Sequence, residues 1–174
     1  ACSLGAGQEA VRLAEPWRTQ YTGADATGDH VVALWGFDPG AELVDLSGKG
    51  HDLTLNGAQV VDGGKFGGCL ESARGYPDAD VPHQAWAAPS PDFPPKGAFT
   101  VEMWIKPKPD LAGYPDSFLL DNRYVDKTGM QLILGPETGA GRVLRMYLGF
   151  GDDAPAWSWR PFQYQADGWY HIAF

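Results

Sequence analysis

Residues 98–107 read AFTVEMWIKP, and their alternation constrains the chain most. Phe99, Val101, Met103 and Ile105 fall on one face of an extended segment. Thr100, Glu102, Trp104 and Lys106 fall on the other. A period of two excludes a helix here and demands a half-buried strand. Similar short segments recur as SFLLD, MQLILG, VLRMYLGF, AWSWRPFQY and WYHIAF, with Gly, Pro and Asp turns between them. The 23 glycines and 14 prolines are spread through the chain rather than bunched, and aromatics make up 13% of it. Many turns joining aromatic-rich strands predict an all-β sandwich or barrel. At 174 residues the chain is one domain's length and can bury a sizeable core without disulfides.

The first half is punctuated differently. Residues 1–29 form a lead-in. GQEAVRLAE carries helix formers, Pro16 ends it, and Trp17 could anchor it. The segment HVVALWGF alternates Ala33, Trp35 and Phe37 against Val32, Leu34 and Gly36. Both sides are largely apolar, so it reads as a strand covered on both faces, with Trp35 and Phe37 in the core. DLSGKG is a turn, DLTLNGA a short strand closed by Asn56-Gly57, and VVDGGKFGG a sharp bend. The stretch Ser72–Gly97 holds six prolines and reads as a long loop rather than a strand. The domain proper spans 30–174.

The formal net charge of -9 disfavours nucleic acid and anionic membrane surfaces, both of which call for basic patches. It is compatible with binding cations. No run approaches the ~18 apolar residues of a membrane helix. ACSLGAGQEAVRLAE lacks a basic start and a continuous apolar stretch, so it does not read as an intact signal peptide.

In order and spacing, HVVALWGFDPG, DLSGKGHDLTLNGA, DGGKFGGCLE and GAFTVEMWIKPKP resemble the laminin-G-like, concanavalin-A-like jelly-roll domains of secreted bacterial proteins. The resemblance runs from about His30 to Phe174. It implies a two-sheet antiparallel jelly-roll sandwich, and a secreted, periplasmic or cell-surface location. In such domains a segment like WYHIAF is followed by a hairpin and closing strands. The resemblance therefore implies an incomplete sandwich whose C-terminal sheet edge is met by further domains or another chain. Tyr170, Ile172 and Phe174 are the expected exposed set. In an exported protein Cys2 and Cys69 read as a disulfide, or else as two unrelated thiols. Relatives often carry a structural calcium between strand ends. Asp38 and Asp62 are its candidate ligands here, or else simple turn formers.

Catalysis has little support in the residues. A glycosidase needs two carboxylates on one face. VEMWIK offers Glu102 alone, and Asp152 and Asp153 are adjacent, so on a strand they oppose. His30, His51, His83 and His171 lie near no nucleophile motif and have no zinc spacing. Aromatics carry the best recognition signal. Trp157 and Trp159 share a face if extended, and Trp104 lies on the polar side of its strand. Indole faces stack on sugar rings, while Arg160, Gln163 and Gln165 could bond hydroxyls. The competing reading is that these indoles are core. Three functions follow: a non-catalytic module binding a glycan or an extracellular protein, a structural subunit completed by a partner, or a glycoside hydrolase.

Overall fold

The computed structural model describes residues 29–72, 83–93, 97–109, 111, 116–122, 128–139, 141–151 and 156–174. The lead-in of 1–28, including Cys2, lies outside them. The described residues are all-β, with ten strands and no α-helix. The strands are β1 (Leu53–Asn56), β2 (Gln59–Asp62), β3 (Gly68–Glu71), β4 (Gln84–Ala87) and β5 (Glu102–Ile105). They continue with β6 (Ser117–Asp121), β7 (Thr128–Thr138), β8 (Gly141–Phe150), β9 (Ala156–Phe162) and β10 (Tyr170–Ala173). Every strand pairing is antiparallel: β1 with β4, β2 with β3, β5 with β10, and β6-β7-β8-β9 as a four-stranded sheet.

The core lies between the β5–β10 ladder and one face of the four-stranded sheet. Met130, Leu132 and Leu134 of β7 alternate, and Leu144 and Met146 of β8 sit in register with Leu134 and Leu132. With Ile172 of β10 they form one buried cluster, against which Phe99, Val101, Met103 and Ile105 pack. The apolar face read from AFTVEMWIKP is thus the face that closes the core. Val101 and Phe174 exchange both backbone hydrogen bonds at 2.8 Å, so the ladder runs on to the last residue.

That packing corrects the expectation for the terminal strand. Ile172 is buried, and Phe174 packs against the core with β5. The alternation 170, 172, 174 points inward because its register partners Ile105, Met103 and Val101 do.

The segment 30–37 is not a ladder strand. Its backbone is tied at single points: Leu46 N–H to Leu34 O at 2.8 Å, and Leu34 N–H to Asp45 Oδ1 at 2.9 Å. Phe37 adopts φ 58°, a left-handed turn that ends extension. Trp35 and Phe37 are half-buried. Trp35 is held by its indole N–H donating to His51 O at 2.9 Å.

The proline-rich stretch also departs from expectation, since β4 lies within it. Gln84–Ala87 occupies the window between Pro82 and Pro89 and pairs with β1 in full register. Prolines flank this four-residue strand rather than interrupt it, which the ladder tolerates.

Cys69 carries a free thiol on β3, opposite Val61. Cys2, the other half of the expected bridge, lies outside the described residues. Burial, followed by the Glu71 carboxylate, pushes this thiol's pKa up.

Candidate functional site

Asp45 organises the loop before β1. Its carboxylate accepts from Leu34 N–H (2.9 Å), Ser47 N–H (3.0 Å), Ser47 Oγ–H (2.8 Å) and His51 N–H (3.0 Å). Burial acts to raise its pKa, but these donors outweigh burial and hold it at about 2. His51, itself buried, brings its Nε2 to 3.2 Å from Asp92 Oδ2, and its ring lies tilted against Phe93 with centroids 4.6 Å apart. This knot fastens residues 90–93 to the DLSGKGH turn. Its carboxylate is saturated by the protein's own donors, so its role is architectural.

The two candidate calcium ligands each touch the glycine-rich bend at a different point. Asp62 ends β2 opposite Gly68. The Asp38 carboxylate fills the space that side chains on Gly36 and Gly67 would take, 2.9 Å and 2.5 Å from their ideal Cβ positions. No group of three metal-binding side chains occurs among the described residues.

The outward face of the β5–β10 ladder gathers Trp104. Opposite it in register stands His171, with ring centroids 5.2 Å apart. The tip of the β2–β3 hairpin lies over this pair. Phe66 meets Trp104 edge-on at 5.7 Å, and Lys65 Nζ sits 4.8 Å above the indole centroid. Glu102 Oε2 is 3.3 Å from His171 Nε2. One alternation further along, Lys106 Nζ lies 6.0 Å from the Trp169 ring. Trp169 is placed there by a turn that docks on the end of β5, with Asp167 N–H donating to Pro107 O at 2.9 Å. Trp104 is therefore half-buried under a lid of side chains rather than an open platform.

The four-stranded sheet has a second face, turned away from the core, that mixes polar side chains with apolar ones such as Ile133, 4% exposed and in register with Arg145. Gln131, 2% exposed, donates to Asp121 Oδ2 at 2.8 Å. Tyr147 is its register partner and is equally buried. Arg145 pairs with Asp116 and packs over Gly135, whose ideal Cβ would lie 2.8 Å from Arg145 Nε. Backbone position 157 is in register with Tyr147, and position 159 with Arg145. Both tryptophan positions thus belong to this second face.

The other predicted ligand residues separate from them. Arg160 is in register with Leu144 and so takes the alternate face at the exposed edge of β9. Gln163 and Gln165 are exposed beyond the strand's end. Trp104 lies on the other layer. Sequence reasoning missed Gln131, Tyr147 and Arg145, because a continuously apolar-looking run such as MQLILG hides which residues face away from the core.

No family model, curated protein or solved structure matches this chain.

Proposed function

We propose that this chain is a non-catalytic recognition module of the laminin-G-like jelly-roll kind, exported from the cell and binding a glycan or an extracellular protein. One observation carries the reading. A sheet face turned away from the core buries Gln131 and Tyr147 and pre-orders Arg145, with two tryptophan positions in register beside them. Gln131 and Tyr147 are the buried support of this face, and Arg145, held by Asp116, is the polar group within a ligand's reach; a group fixed in place before binding loses little freedom when a ligand arrives. The nearby acids are engaged singly, Asp121 with Gln131 and Asp116 with Arg145, while Glu102 faces His171. That arrangement favours binding over the paired carboxylates of glycoside hydrolysis. The test is an array of glycans and extracellular matrix proteins probed with the wild type and with the W157A/W159A variant. A ligand retained by the wild type and lost by a folded variant supports the reading. Absence of any ligand, or equal binding by both, refutes it.

A further inference from the structure

Asparagine occurs at positions 56 and 122, and the fold treats the two amides differently. The Asn122 side-chain carbonyl accepts Met130 N–H at 2.6 Å, and the Asn122 backbone N–H donates to Met130 O at 3.0 Å. That amide is tied down. Asn56 is exposed, and its side chain makes no hydrogen bond among the described residues. Gly57 follows it, also exposed, with φ 81° and no Cβ to hinder approach to its nitrogen. Asn56 is the last residue of β1. It makes the final rung of the β1–β4 ladder with Gln84, and Gly57 meets the same Gln84 in an isolated bridge. The end of a short ladder opens more readily than its middle. An untethered amide therefore stands beside an unhindered backbone nitrogen at a strand end.

We propose that Asn56-Gly57 is a self-modification site, where the chain converts its own amide to aspartate and isoaspartate. The Gly57 nitrogen loses its proton to a solvent base and attacks Asn56 Cγ. The N–Cγ bond forms, the Cγ–Nδ2 bond breaks, and Nδ2 takes up a proton from solvent and leaves as ammonia. Water then opens the cyclic imide. Opening at Cγ leaves aspartate. Opening at the main-chain carbonyl carbon leaves isoaspartate, with the backbone rerouted through Cβ. One water is consumed and one ammonia released, with no change of oxidation state. Either product adds a negative charge to a chain already at -9. Isoaspartate also lengthens the backbone at the final rung. Among the described strands β4 pairs with β1 alone, so the conversion loosens β4 as well.

The experiment incubates the whole native chain at mildly alkaline pH and follows residues 56 and 122 by peptide mapping. Acid is expected to build up at 56 and not at 122, and faster as pH rises, because the attacking nitrogen must lose its proton. The native rate at Asn56 should lie within about tenfold of the rate in guanidinium chloride, since the strand end opens locally. Hydrogen exchange at residues 84–87 should speed up as isoaspartate accumulates, while Asn56→Gln keeps its starting protection over the same incubation. A native rate below that margin means that the ladder holds the amide away from the Gly57 nitrogen, and it overturns the proposal. So does equal conversion at Asn122, or undiminished protection of β4 in the converted protein.

Discussion

The Asp45 carboxylate accepts the His51 backbone N–H at 3.0 Å, while the His51 carbonyl accepts the Trp35 indole N–H at 2.9 Å. Asp45 also takes Leu34 N–H and two donors from Ser47, so one buried anion fixes residues 34 to 51. Asp45→Asn puts amide protons where donors already point, leaving them facing one another. The expected loss is about 2–3 kcal/mol in urea unfolding. An unchanged midpoint would show that the loop does not depend on this anion.

The same residue sets an acid limit. Its pKa falls from 3.8 in the unfolded reference to about 2 in the fold. A depressed carboxylate stabilises above its unfolded value, and that contribution is lost as pH falls through its folded value. About 2 kcal/mol should therefore disappear between roughly pH 4 and pH 2. Asp45→Asn should flatten the pH dependence of stability in that window, as followed by thermal melts.

Core position separates two large apolar residues. Leu132 is 1% exposed at the centre of the shared cluster, and Phe150 is 64% exposed at the end of β8. Leu132→Ala should cost about 2–5 kcal/mol through lost burial and a cavity. Phe150→Ala should stay within about 0.5 kcal/mol. Comparable losses at both sites would overturn the placement of the core.

Two glycines in the first half differ in kind. A side chain on Gly68 would meet the Phe37 carbonyl, a backbone atom that cannot swing aside. Gly40 has φ +85° but open space around its Cβ position. Gly40→Ala should cost about 1–2 kcal/mol from the left-handed backbone alone. Gly68→Ala should cost more, because the Phe37 turn must move. Equal melting temperatures for the two variants would contradict this.

The Cys69 thiol is half-buried and its pKa is raised. Little thiolate forms at neutral pH, so alkylation of the native protein should be slow and should speed up on denaturation. Peptide mapping without reductant should find Cys69 alkylated. Recovery of a Cys69 disulfide would refute the free-thiol assignment.

Sequence alone determined the local facts. The two-residue period of AFTVEMWIKP placed Phe99, Val101, Met103 and Ile105 inward and Glu102 and Lys106 outward, as the structure has them. Asn56-Gly57 marked the end of β1, and Gly57 takes φ 81° there. What alternation cannot specify is a partner. Whether an apolar row is core or surface depends on the strand it meets. Tyr170, Ile172 and Phe174 became inward-facing only through their register with Ile105, Met103 and Val101. β4 exists because β1, some thirty residues away, supplies a ladder that proline density argued against. The candidate sites follow the same rule. Trp157 and Arg160 are three residues apart, and an extended chain sends them to opposite faces. Lys65 and Trp104 are far apart in sequence, and hairpin docking brings them within 4.8 Å. Sequence fixes which way each residue leans along its own strand, while packing between strands decides what it leans against.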